Sequence, residues 1–176
     1  GYLKDDLSRY YTGFSVLGDF YEIVFDDALL VSKTLELTLT GKECGLEERA
    51  PMCGVPHHSS EIYVKKLIEA GYKVAICEQL TDPSEGKGIV QRDVIRVVTP
   101  GTLIESSMLS DDNNNYICCA YYDNQSCGMC FADISTGEVR LALVDGGKNL
   151  EPELVDLLSR YSPAEVIFNP EFLSLK

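Results

Sequence analysis

A chain of 176 residues and 19.5 kDa has room for one medium domain or two small ones. Its composition, 45% apolar and 24% charged, supplies a core and excludes a disordered chain. Fifteen Lys and Arg against 28 Asp and Glu leave a net charge of −13, which excludes bulk counterion release as the source of any nucleic-acid affinity. The acidity is spread evenly, −6 over residues 1–105 and −7 over 106–176. A nucleic-acid role would therefore rest on a local constellation. No apolar run approaches the roughly 20 residues of a membrane span, and Gly1–Asp6 lacks the basic-then-apolar order of a secretory signal. The seven cysteines are odd in number and several sit in apolar runs, which predicts reduced thiols in a cytoplasmic protein.

In chain order, residues 2–12 read as a short helix stopped by Gly13, and 14–18 as a short strand. Asp19-Phe20-Tyr21-Glu22 fits a capping box, followed by Tyr21, Val24, Phe25, Ala28, Leu29 and Leu35 at the spacing of one helical face. The spacing predicts a helix over about 20–35. If that segment were extended instead, the i, i+2 spacing would still place Phe20 and Glu22 on one side. Leu35 to Thr40 alternates strictly and predicts a half-buried strand.

Residues 41–58, rich in Gly, Pro, Cys and His, read as a loop. Ser59 or Ser60 then caps a helix carrying Ile62, Val64, Leu67 and Ile68, ended by Gly71. Strands are predicted at Tyr72–Cys77 and Ile89–Val98, joined by the turn-rich 81–88.

The polar run Ser110–Asn115 marks a boundary, giving a first domain at 1–108, a linker at 109–114 and a second domain from 115. Beyond it, Tyr116–Tyr122, Gly128–Ile134 and Glu138–Val144 predict an antiparallel meander with short turns. A helix over 150–160 and a strand at Glu165–Phe168 follow. This order is that of an α/β sheet whose remaining elements lie beyond Lys176, so the chain is expected to be part of a longer protein.

Five stretches together carry a resemblance: Gly18–Glu22, Leu37–Thr40, Pro51–His58, Val74–Gln79 and Val97–Thr102. In this order and at this spacing they resemble the amino-terminal region of the MutS family of DNA mismatch-repair proteins. Asp133-Ile134-Ser135-Thr136-Gly137 similarly resembles the start of that family's connector domain. The resemblance implies a mixed β-sheet with flanking helices, then a partial ribonuclease-H-like α/β connector at 115–176.

It also implies roles. Phe20 of the Phe-X-Glu element would be the wedge that stacks on a mispaired base from the minor groove, and Glu22 would hydrogen-bond that base. Lys42 falls near a family phosphate contact, Met52 lies in a loop close to the DNA, and Asp19 is a further candidate DNA contact. The partner implied is mismatched double-stranded DNA. In the parent protein, a homodimer, ATP with Mg and a MutL-type downstream partner are implied.

An aromatic wedge must unstack a base step, which costs a few kcal/mol and least at a mismatch. Selectivity then comes from the weakness of the DNA. A carboxylate beside phosphates is repelled, so Glu22 is expected to bind in its neutral form, and Glu22→Gln to keep mismatch affinity.

Two features depart from the family. Val16 stands where members often carry Arg or Gln, so a DNA contact from that position is lost or moved. No Gly-x-x-x-x-Gly-Lys-[Ser/Thr] occurs, so the chain is not expected to hydrolyse ATP by that route or to need a cofactor.

Two other chemistries compete with this reading. Zinc could draw on Cys127-Gly128-Met129-Cys130 with Cys118 and Cys119, or on Cys44, Cys53, His57 and His58, but neighbouring cysteines in a strand point to opposite faces. A metal-dependent nuclease could use Asp123, Asp133 and Glu138, whose ordinary role is in turns and strand ends. A MutS relative binding other DNA structures is a third alternative, which the presence of Phe20 disfavours.

Overall fold

A computed structural model describes residues 11–45, 47–80, 91–109 and 113–175. The chain divides into two compact units, Gly1–Thr99 and Pro100–Lys176, both of mixed α/β architecture as the sequence predicts.

In the first unit the described elements run β1 (Tyr11–Leu17), β2 (Phe20–Val24), α1 (Asp26–Leu35), β3 (Thr40–Lys42), β4 (Ala50–Pro56), α2 (Ser60–Glu69), β5 (Lys73–Gln79) and β6 (Arg92–Val98). They build a six-stranded sheet of order β3-β4-β2-β1-β5-β6. Neighbours are antiparallel except β1 and β5, so the sheet is mixed. One face is the core: Phe14, Tyr21, Ile23, Cys53, Val55 and Val74 are buried together with Ala28 and Val31 of α1 and Val64, Leu67 and Ile68 of α2. Burial of such side chains contributes roughly 1.5–3 kcal/mol each, and it fixes which way every alternate residue points.

The helix predicted over 20–35 is a strand followed by a shorter helix, and the capping box at Asp19 does not form. Phe20–Val24 is hydrogen-bonded on both sides, to β1 and to β4. Burial alternates with period two, Tyr21 and Ile23 inward and Phe20 outward. The apolar spacing fitted a helix, and the two flanking ladders decided against it. Phe25, at φ 60°, makes the corner, its N–H donating to Pro51 and its carbonyl receiving Ala28 and Leu29. Only then does α1 start, with Asp26 and Asp27 in its first turn and Lys33 in its last, as the helix dipole favours.

The strand predicted at Leu35–Thr40 is likewise displaced. Leu35 ends α1, Glu36 adopts the left-handed conformation, and only Thr40–Lys42 joins the sheet edge. Leu39 is left exposed. The loop predicted at 41–58 contains β4. Its prolines lie near the strand ends, where a missing N–H costs least. Helix α2 ends as predicted: Gly71, at φ 90°, donates to Ile68, and Tyr72 donates to Leu67. Tyr11 and Thr12, predicted as the end of a helix, open β1. The rest of that helix (2–10), the connection at 81–88, the start of the strand at Ile89 and Val90, and the boundary run at 110–112 lie outside the described residues.

The second unit follows the sequence prediction closely. β7 (Tyr116–Tyr122), β8 (Ser126–Asp133) and β9 (Glu138–Asp145) form the meander, α3 (Leu150–Tyr161) crosses it, and β10 (Glu165–Phe168) pairs parallel with β7. Strand order is β10-β7-β8-β9. One face packs Cys118, Met129 and Phe131 against Leu150 and Leu154 of α3. Tyr161 stacks on Phe131 at 4.4 Å and meets Tyr116 edge-on at 5.6 Å. The segment after Pro100 groups with this unit: Asn115 donates to the Pro100 carbonyl, and the Gly101 N–H to Glu165.

Candidate nucleic-acid interface

The candidate residues are positioned by a hairpin. Leu17 and Phe20 close a two-residue turn at Gly18-Asp19, with positive φ at Gly18 alone, the type II′ pattern that matches strand twist. Asp19 is exposed in this turn, and its carbonyl accepts the His57 N–H at 2.8 Å, tying the tip to the entry of α2. Strand alternation then separates two adjacent aromatics. Tyr21 is 5% exposed, tilted against Phe14 at 5.9 Å and stacked on His57 at 4.9 Å. Burial, with a smaller contribution from Glu78, raises its phenol pKa. Phe20, one residue earlier, is 51% exposed on the opposite face.

Glu22 shares that face with Phe20, as the extended alternative predicts. Opposite Glu22 on β4 stands Gly54, and opposite Phe20 stands Pro56. A Cβ at Gly54 would meet the Tyr21 carbonyl at 3.5 Å and the Phe20 ring at 3.9 Å, ordinary contacts. The glycine therefore relieves no clash; it leaves the flank of the ring uncovered. An open cleft of about 540 Å³, lined among others by Asp19, Phe20, Pro56, His57, His58 and Glu78, borders the ring on its turn side.

The edge strand brings in the lysine. Lys42 reaches across from β3, and its ammonium forms a hydrogen-bonded ion pair with the Glu22 carboxylate. The Glu22 side chain is 14% exposed and that of Lys42 34%. Met52 is not in a loop: it lies in β4, paired with Val24 and Thr40, and its carbonyl receives the Thr40 hydroxyl at 3.1 Å. It belongs to the same face as Phe20, Glu22 and Lys42 by register. The structure thus gathers Phe20, Glu22, Lys42 and Met52 on one open sheet face, with Asp19 at its rim. Gly54 and the His57 stack were missed by the sequence reading. Neither has a periodicity: the ladder between β2 and β4 reveals the first, and the contact of His57 with Tyr21 and the Asp19 carbonyl the second.

The three carboxylates of the nuclease alternative serve local structure. Asp133, 2% exposed, accepts from the N–H groups of Asn115, Ser135 and Thr136 and from the Ser135 hydroxyl. Burial opposes its charge, and these hydrogen bonds outweigh it, so its pKa is lowered. Glu138 is held low by Arg140 first and then Tyr116, and Asp123 by the N–H groups of Ser126 and Gln125. All seven cysteines are free thiols. Burial pushes Cys53 up to about 11 and Cys118 up to about 12, the latter aided by neighbouring thiols. Among the described residues no group of three or more His, Cys, Asp or Glu converges as metal ligands would.

Comparison with known proteins finds a family match in each half of the chain. Residues 10–107 match the family described as MutS domain I, and residues 115–176 match MutS domain II. The chain is 53% identical over 152 residues to the DNA mismatch repair protein MutS of Alkaliphilus oremlandii, covering 86% of this chain and 17% of that protein. It is 52% identical over 156 residues to the protein of that name from Acetivibrio thermocellus, covering 89% and 18%, and 53% identical over 151 residues to that of Clostridium botulinum, covering 86% and 16%. The chain therefore spans less than a fifth of the length of these relatives.

Proposed function

Because this chain belongs to the MutS family of DNA mismatch-repair proteins, through domains I and II, we propose that its first unit reads mispaired or unpaired bases in duplex DNA. Phe20 is the wedge and Glu22 the group that hydrogen-bonds the displaced base. The observation that carries this reading is the 51% exposure of Phe20 on a sheet whose next residue, also aromatic, is buried. An exposed ring held by a hairpin between paired strands loses little freedom on binding. Inserted at a base step it unstacks that step at a cost of a few kcal/mol, least where pairing is already faulty.

Lys42, Met52 and Asp19 border the wedge and contact the backbone or sugar of the same duplex. The net charge of −13 gives no bulk attraction, so tight binding is supplied by the parent protein. There a homodimer closes on the duplex, ATP with Mg drives the later steps, and a MutL-type partner follows. The chain itself is a recognition element and performs no chemistry on the DNA.

The test is Phe20→Ala in the full-length protein, titrated with a G·T or unpaired-T duplex against a homoduplex. Base–aromatic stacking is worth about 1–3 kcal/mol, so mismatch affinity should fall roughly 5- to 150-fold with little change on homoduplex. Equal affinities for wild type and variant would overturn the reading.

A further inference from the structure

We infer that Lys42 is an exchangeable counter-charge for Glu22, and that the exchange makes phosphate contact conditional on the base. This rests on the proposed reading of Phe20 and Glu22. In the free protein the two side chains form an ion pair on the open face, with no side chain from Gly54 between β2 and the duplex side. Both are partly accessible, so the pair is screened and modest in strength. Among the described residues the Glu22 carboxylate has no other hydrogen-bond partner, in contrast to that of Asp133 with four donors. A phosphate offers Lys42 a competing anion of comparable strength. The neighbouring Arg49 is paired with Glu43, and both are largely exposed.

Consider the two kinds of duplex. At a mismatch the Glu22 carboxylate takes up a proton from solvent and its O–H donates to the displaced base, so Lys42 leaves for a phosphate and both groups stay paired. On sound duplex no base is displaced. Releasing Lys42 would then leave a bare carboxylate among phosphates, a repulsive arrangement. Lys42 therefore stays on Glu22 and makes no phosphate contact. The same lysine contributes one phosphate contact on faulty DNA and none on sound DNA. Lys42 is in this sense a positioning residue, acting on specificity through Glu22.

Counting phosphate contacts is what the salt dependence of binding does, each contact contributing about 0.9 to the slope of log K against log salt. The experiment measures this slope for full-length wild type, Lys42→Gln, Glu22→Gln and the double variant, on G·T and homoduplex DNA. Thermal melts confirm that each is folded, and Lys42→Arg serves as the conservative control. On mismatched DNA, Lys42→Gln should lower the slope by about 0.9 in both the wild-type and Glu22→Gln backgrounds. On homoduplex it should leave the slope unchanged in the wild-type background and lower it by about 0.9 in the Glu22→Gln background. Lys42→Arg should behave as wild type.

A loss of the same size on both duplexes in the wild-type background would overturn the exchange and make Lys42 an ordinary phosphate contact. No loss on either duplex would overturn it as well. Phe20→Ala separates the two levels. If it leaves mismatch preference intact, the wedge reading fails. If it abolishes that preference while Lys42→Gln acts alike on both duplexes, only the exchange fails.

Discussion

Glu22 in the first unit, partly accessible, and Asp133 in the second, buried, are both strand carboxylates, yet they are held in opposite ways. Asp133 is 2% exposed and held by four fixed donors, three of them backbone N–H groups, two in the turn after β8 and one just before β7. Glu22 faces one donor, the tip of a flexible lysine from another strand. A group whose acceptor capacity is used up by the backbone organises the chain and has nothing left to offer a ligand. A group balanced by a single exchangeable charge is stable when alone and free to change partner.

The largest expected effect tests the first half of that contrast. Asp133→Ala strands several buried N–H donors, each costing about 1–3 kcal/mol, and should destabilise the second unit by about 3 kcal/mol in urea denaturation. Phe20→Ala, with its ring already half in water, should change stability by less than about 0.5 kcal/mol. Comparable losses for the two would break the comparison.

Acid sharpens it further. The Asp133 carboxyl lies below its ordinary value of 3.8 in the folded chain. Its contribution is therefore fully present above pH 3.8 and lost as pH falls below that value through the folded pKa. Denaturation midpoints between pH 5 and 2 should drop more steeply for wild type than for Asp133→Asn.

Gly54→Val should move binding and stability in opposite directions. A branched side chain suits a strand, adding up to about 1 kcal/mol, while it covers the flank of Phe20. Fluorescence anisotropy should show mismatch affinity several-fold weaker on a protein that melts no lower. A variant that binds as wild type would show that the uncovered flank is not used. The smallest effect belongs to a third carboxylate. Asp156, 64% exposed and paired with Arg160 one helical turn on, should cost less than about 0.5 kcal/mol when changed to Ala.

How far these features could be read from the sequence differs between the units. In the second, the predicted Tyr116–Tyr122 is β7 itself and the predicted Gly128–Ile134 is β8 offset by one or two residues at its ends, because adjacent strands are neighbours in the chain and short turns bind them. In the first, Tyr21, Val24, Phe25 and Ala28 satisfy a helical period, whereas the strand buries Tyr21 and Ile23 at a spacing of two. The arbiter is β4, whose Pro51, Gly54 and Pro56 resemble a loop. That Phe20 and Glu22 share a side was accessible from spacing alone. The Glu22–Lys42 pair was not, since it joins residues 20 apart across an intervening strand.

The strand that carries Lys42 is three residues long and, among the described residues, pairs with β4 alone. So short a margin has few bonds to break before it peels away, whereas β1 is clasped on both flanks by β2 and β5. Deuterium should accordingly enter the amides of Thr40–Lys42 well before those of Phe14 and Ser15. The lysine rides on the part of the sheet that yields first, next to a ring mounted on one of the parts that yields last.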